Sequence, residues 1–333
     1  MNDEQRAGIR ENAQYLRQVR PIDPEEIREY VTGQPHPAAV RQVLREEATD
    51  LGLVEREDGL FEPVSDGALD VSFRGVEQLP ADISETVEGL LVERFGPGWP
   101  DGESGASLRE TIRDFKRRYL AGAPVTYDAV TALGYAVYHL PQTFAAAQHV
   151  LADLAADDRL PRDLRVLDVG AGVGGPALAL DRLAPDALVE YHAVEPGEAA
   201  TVLDTLLAET GRNFHATVHR EPIEAFAPSG EYDLLLCANV LSELDAPAEE
   251  VTRLLDYLAP AGSLVALAPA DRNTATQLRQ VERTVERETD ATVYAPTVRL
   301  WPHETPASES WSFDRTPALA VPPFQRRLDE GER

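Results

Sequence analysis

The chain has 333 residues, 43% of them hydrophobic, which is enough to fill the core of one large or two ordinary domains. Its net charge is −27, and Lys116 is the only lysine among 31 basic residues. That bias points to a salt-rich cytoplasm, where a screening length of about 3 Å keeps net charge from deciding partners. A lone cysteine, Cys237, excludes intramolecular disulfides and any multi-cysteine metal site supplied by this chain. No apolar run approaches the ~18 residues of a membrane span, and the charged N-terminus has no signal-peptide core, so a cytoplasmic protein with no membrane partner is expected.

In chain order, helices are expected at Pro24–Thr32 and Pro37–Asp50, with prolines at early helical positions and Asp23 as a cap. Strand-like runs at Leu53–Arg56 and Leu60–Val64 flank Asp58-Gly59, a hairpin signal. Helices followed by a hairpin make residues 1–95 an N-terminal helical region with a winged-helix-like start. Acidic Glu46, Glu47 and Asp50 beside Arg41 and Arg45 argue against DNA reading, which needs a basic face. Phe95–Gly105 reads as a loop, and residues 106–160 as a helical cap. Within the cap, Ser107–Tyr119 lines up Arg109, Arg113, Lys116 and Arg117 on one helical face. That face is either solvated and paired with local acids or a contact face for phosphates. Helices continue over Thr126–Leu154 around Pro141.

From Arg165 short apolar strands alternate with amphipathic helices. Strands are expected at Arg165–Val169, Leu188–Val194, His215–His219, Tyr232–Cys237, Ser263–Ala268, Thr292–Ala295 and Trp311–Asp314. Helices are expected at Gly175–Leu183, Gly197–Thr210, Pro247–Leu258 and Thr274–Thr289. Residues 161–320 therefore read as an α/β, Rossmann-like domain with a seven-stranded sheet.

The first strand runs into Asp168-Val169-Gly170-Ala171-Gly172-Val173-Gly174, where glycines allow positive φ and close approach of a ligand. Glu195 closes the second strand, where a carboxylate can accept hydrogen bonds from a ribose. This much would also suit a nicotinamide dinucleotide. Asp168, however, would repel a pyrophosphate and suits the cationic methionine end of S-adenosylmethionine. Asn239 ends the fourth strand beside the expected sulfonium, and Leu258-Ala259-Pro260-Ala261-Gly262 resembles the turn before strand five of class I methyltransferases. The expected cofactor set is thus Asp168, Gly170, Ala171, Gly172, Gly174, Glu195, Asn239 and, near the adenine, Glu221. No catalytic residue is identified. Asn239-Val240-Leu241-Ser242 lacks the pattern that grips a planar amine, and buried Cys237 is no C5-pyrimidine nucleophile. His303, in the loop Thr297–Ser310 with Trp301, is placed for substrate contact, whereas His139, His149, His192, His215 and His219 read as packing or surface residues.

Tyr135–Leu154, the Asp168–Gly174 loop, Asp233–Leu244 and Tyr294–Phe313 resemble the methyltransferase-like proteins associated with the mitochondrial ribosomal small subunit and their bacterial and archaeal relatives. The resemblance implies that the chain methylates rRNA or assists assembly, with the small subunit as partner and Arg109, Arg113, Lys116 and Arg117 as contact face. Relatives carry cluster-binding cysteines in the last segment. Here Thr297 and Ser312 stand where those would be expected, so no metal site is anticipated and packing by Tyr294, Trp301, Trp311 and Phe313 replaces it. A cofactor-binding assembly factor without activity and a small-molecule methyltransferase are the alternatives.

Overall fold

The computed structural model describes residues 1–120, 128–295 and 319–331. The N-terminal part is built from α1 (Asp3–Leu16), α2 (Pro24–Tyr30), α3 (Pro37–Glu46), α4 (Ala48–Leu51) and a hairpin of β1 (Leu53–Glu55) with β2 (Phe61–Pro63). Asn2 caps α1 in a reciprocal capping box with Gln5, a helix that composition alone did not announce. The single helix expected at Pro37–Asp50 breaks at Glu47, and Gly52 in the left-handed region turns the chain into the hairpin. Ile9, Ile27, Leu44, Leu53 and Phe61 form a core of its own. The hairpin is tied to the rest of the chain through Asn213, whose side chain accepts from Glu55 N at 2.7 Å and donates to Glu55 O at 3.1 Å.

Four helices follow: α5 (Ala81–Phe95), α6 (Gly102–Leu120), α7 (Ala129–Tyr138) and α8 (Leu140–Ala156). Ile83, Val87 and Leu91 of α5 enter the same core as the α/β domain. That domain alternates β3 (Asp163–Val169), α9 (Gly175–Leu183), β4 (Leu188–Val194), α10 (Ala199–Leu207), β5 (Phe214–His219), β6 (Tyr232–Ala238), α11 (Pro247–Leu255), β7 (Leu258–Leu267) and α12 (Arg272–Glu288). The strand order is β5-β4-β3-β6-β7 with every neighbour parallel. Side chains alternate across β3: Val166 joins the core under α7 to α10, whereas Leu167 and Val169 join Val251, Leu254, Val281 and Val285 of α11 and α12. The expected Leu258–Gly262 turn is drawn into β7, where the register with β6 shifts.

Chain order reverses at β3, since β4 lies on one side and β6 on the other. A doubly wound sheet opens its ligand crevice at the carboxyl ends of the strands flanking such a point. The expected Rossmann-like α/β fold is therefore present; among the described residues the central sheet has five of the seven strands expected, and the hairpin has two more. Thr292–Ala295 is not a strand. Its alternating residues suit one, but Tyr294 is turned to Asp157, which accepts from its hydroxyl, and to the Arg159 guanidinium, 4.0 Å above its ring. Trp301, His303 and Trp311–Asp314 lie outside the described residues. After them α13 (Pro323–Glu330) returns to the cap, burying Phe324 and Leu328. Among the described residues no helix is long and apolar enough to cross a membrane.

Candidate functional site

The loop after β3 shows why its glycines are needed. Gly170, Gly172 and Gly174 have φ of 64°, 56° and 85°. A Cβ on Gly170 would run into Val240, and one on Gly174 would stand 2.5 Å from the Leu203 side chain. A Cβ on Gly172 would come no closer than 3.9 Å to any atom, the edge of the Tyr135 ring. The outer glycines thus serve packing, whereas a side chain at Gly172 would meet no clash within the free chain. The loop is hung from β4, for Gly170 N and Ala171 N donate to Val194 O at 2.9 and 3.1 Å.

Glu195 follows Val194 directly and is 8% exposed. Its Oε2 accepts from Gly172 N at 3.0 Å and its Oε1 from Gly197 N at 2.9 Å. Each carboxylate oxygen keeps a further acceptor site, so Glu195 fixes the loop and can still receive ribose hydroxyls. Asp168 sits two residues before Gly170 and is fully buried. Its Oδ2 accepts from the Tyr191 hydroxyl at 2.6 Å, while its Oδ1 has no hydrogen-bond partner. Burial, with a smaller push from the Glu195 charge, raises the carboxyl to about 7 against the opposing effect of the Tyr191 bond. A nearby cation would restore its ionised form.

Asn239 directly follows β6 in the left-handed region at φ 63°, with its N–H donating to Leu267 O at 3.0 Å. Its amide reaches Thr143 Oγ1 at 3.5 Å. Glu221 lies half-buried just past β5.

The cap supplies a wall beside the loop. Tyr135, His139 and Thr143 are spaced four residues apart, and the backbone bonds His139 N to Tyr135 O and Thr143 N to His139 O carry that spacing across the α7–α8 junction. Thr143 packs 3.0 Å from where a Cβ on Gly175 would be. Tyr135 stacks on His139 with centroids 4.5 Å apart, and the Phe115 ring meets both edge-on. Burial, then the Lys116 charge, hold His139 below its ordinary protonation range. Elsewhere, His149 meets Phe73, and His192 joins His219 at 3.0 Å and Glu190 at 2.8 Å across β4 and β5.

On α6, Arg109 donates to Pro100 O at 3.0 Å and Leu328 O at 2.9 Å, so it secures α13. Arg117 and Arg118 share Asp114 at 2.5 and 2.7 Å. Arg113 lines a crevice with Arg117 and Glu110, and Lys116 is exposed. Cys237 is buried in β6 and its thiol is pushed up to about 12, first by burial, so it is no nucleophile.

An unpaired buried carboxylate oxygen, a second carboxylate at the loop and a backbone left bare at Gly172, where packing does not demand a glycine, fit a ribose-bearing ligand with a cationic end. They do not fit a pyrophosphate. The class defined is a Rossmann-like cofactor-binding α/β domain with a helical cap. Residues 139–318 match the methyltransferase domain model and residues 6–57 match the N-terminal domain of a family of unknown function, so the chain belongs to the methyltransferase domain family. The residues present fit S-adenosylmethionine as the methyl donor. Among solved structures it is similar to a candidate O-methyltransferase from Nostoc punctiforme PCC 73102, at 16% identity over 86% of this chain and 82% of that one, TM-score 0.37. It is also similar to the precorrin 8W decarboxylase of Methanobacterium thermoautotrophicum, at 21% identity over 38% and 62%, TM-score 0.30. A third is an S-adenosylmethionine-dependent methyltransferase from Clostridium acetobutylicum ATCC 824, at 12% identity over 47% and 55%, TM-score 0.30. The chain thus spans less than two thirds of the length of the last two. A comparison with curated proteins finds no match.

Proposed function

We propose that this methyltransferase acts on RNA of the small ribosomal subunit, approached over α6. When bound, S-adenosylmethionine supplies an electrophilic methyl group. The chain's own part is to hold and orient: Glu195 receives the ribose hydroxyls, the Gly170–Gly174 loop lets the ligand lie against backbone, and Asp168 faces its cationic end. Rate enhancement then comes mainly from proximity and alignment of donor and acceptor, worth up to about 7–11 kcal/mol for well-oriented reactants. The observation that carries the acceptor reading is the basic helix beside the site, where exposed Lys116 is close enough to act on His139 and shares the helix with Arg113, Arg117 and Arg118. The resemblance of Tyr135–Leu154 and Asp233–Leu244 to small-subunit factors supports the same partner.

A second reading, methylation of a small molecule beneath the cap, is favoured by Arg109 being committed to Pro100 and Leu328 and by Asp114 bridging Arg117 and Arg118. Incubating the full chain with methyl-labelled S-adenosylmethionine and isolated small subunits tests the two. Label in the subunit RNA, lost in an Arg113→Glu/Lys116→Glu variant that still binds cofactor, is the expected result. Absence of both label and cosedimentation would leave the small-molecule reading in its place.

A further inference from the structure

The cap helices have a face that the cofactor residues named so far do not use. Tyr135, His139 and Thr143 stand on successive turns and border the glycine loop along its length, from Gly172 under Tyr135 to Gly175 under Thr143. Thr143 also meets Asn239 from the far side of the crevice. The loop, the end of β6 and the α7–α8 junction therefore meet at one place.

The ring of Tyr135 flanks Gly172, its edge 3.9 Å from where a Cβ on that glycine would stand, and Gly172 is the one glycine of the Gly170–Gly174 loop whose bare backbone packing does not demand. It is braced from behind by the His139 stack and the Phe115 edge, so the ring is pre-positioned and loses little freedom when a ligand arrives. His139 adds no positive charge to this wall near neutral pH, because burial and Lys116 hold it neutral. An uncharged aromatic wall suits the nucleoside and thioether parts of the ligand and does not oppose a sulfonium.

We propose that the cap forms the second half of the cofactor site and that Tyr135 is its contact residue, packing its ring on the bound S-adenosyl ligand where that ligand lies beside Gly172. This rests on the assignment of the loop as the cofactor site. It also gives the cap a function beyond covering the sheet: α7 is held in place by whatever occupies the loop, so cofactor binding and the acceptor-facing wall are coupled.

The test uses the full chain and S-adenosylhomocysteine as probe, with calorimetry for affinity and hydrogen exchange for α7. Tyr135→Ala is expected to weaken binding about tenfold, the share of one buried aromatic contact. Tyr135→Phe should stay within about twofold of the parent, because the ring and not the hydroxyl makes the contact. Amides of 129–138 should exchange more slowly when the probe is added to the parent, and not in Tyr135→Ala. Thermal melts of the free variants establish that each is folded. Parent-like affinity of folded Tyr135→Ala, a loss in Tyr135→Phe as large as in Tyr135→Ala, or unchanged exchange of α7 on probe binding would each overturn the proposal. A parent chain that does not bind the probe at all would overturn the cofactor-site assignment itself.

Discussion

Glu55 in the N-terminal hairpin and Asp168 on β3 are both buried carboxylates, 5% and 0% exposed, with opposite surroundings. Arg45 grips both oxygens of Glu55, at 2.5 and 3.0 Å, with Arg41 alongside. Asp168 receives one hydroxyl bond, has one oxygen without a partner and is raised to about 7. The same division runs through both regions. Arg6 and Arg10 of α1 are spent on Glu46, Glu47 and Asp50 within their own domain. The carboxyl end of the sheet instead leaves an unpaired oxygen, positive-φ residues and the bare backbone of Gly172. Charges that satisfy each other stabilise a fold, whereas groups left short of partners are the ones a ligand can complete.

The largest effect that would break this contrast is steric. Gly172→Val places branched carbons in the space above the loop at a positive φ, so S-adenosylhomocysteine binding is expected to vanish in calorimetry while the sheet stays folded. Retained affinity would mean that the ligand lies elsewhere.

Next is the pH response of Asp168. Its carboxyl is raised in the folded chain above its ordinary 3.8, so its contribution to stability is fully present below that value and is lost as pH rises through about 7. For a fully buried group the loss can reach ~4 kcal/mol. Chemical denaturation of the free protein from pH 4 to 8 should therefore show a decline that Asp168→Asn removes, and saturating S-adenosylmethionine should offset it in the parent. Parallel pH profiles for parent and variant would show that the carboxyl is already satisfied.

Smaller still is Glu195→Ala, expected to weaken cofactor binding by about 1–3 kcal/mol through lost charge-assisted hydrogen bonds and a loosened Gly172. Smallest is Arg10→Ala on the N-terminal side. It removes one exposed pairing and should leave both cofactor affinity and melting temperature unchanged within error. A marked loss in either would mean that the N-terminal charges serve more than their own domain.

Much of this site is legible in local sequence because the glycine loop and its carboxylates obey short-range geometry. Gly170 to Gly174 and Glu195 are found from spacing alone, since a parallel strand pair fixes how far the second strand tip lies from the first. Asp168 is found the same way, but its partner Tyr191 is not, because a cross-strand hydrogen bond leaves no pattern in either segment. Tyr135, His139 and Thr143 lie roughly thirty residues before the loop they face. Their four-residue spacing is visible, yet it reads as packing until the sheet places Gly172 beneath them. Strand propensity misleads at Thr292–Ala295, where Tyr294 finds Asp157 and Arg159 instead of a neighbouring strand. The helix at Pro323–Glu330 escapes detection because its reason for forming is tertiary: Phe324 and Leu328 bury against the cap.

The central claim is that the loop between β3 and α9, with Asp168 and Glu195, is built for an S-adenosyl ligand and against a pyrophosphate. Calorimetric titration of the full chain with S-adenosylhomocysteine and, separately, with a nicotinamide dinucleotide tests it most directly. Saturable binding of the first at one site per chain, with no measurable heat from the second, is the predicted result. Tight binding of the dinucleotide with none of S-adenosylhomocysteine would contradict it.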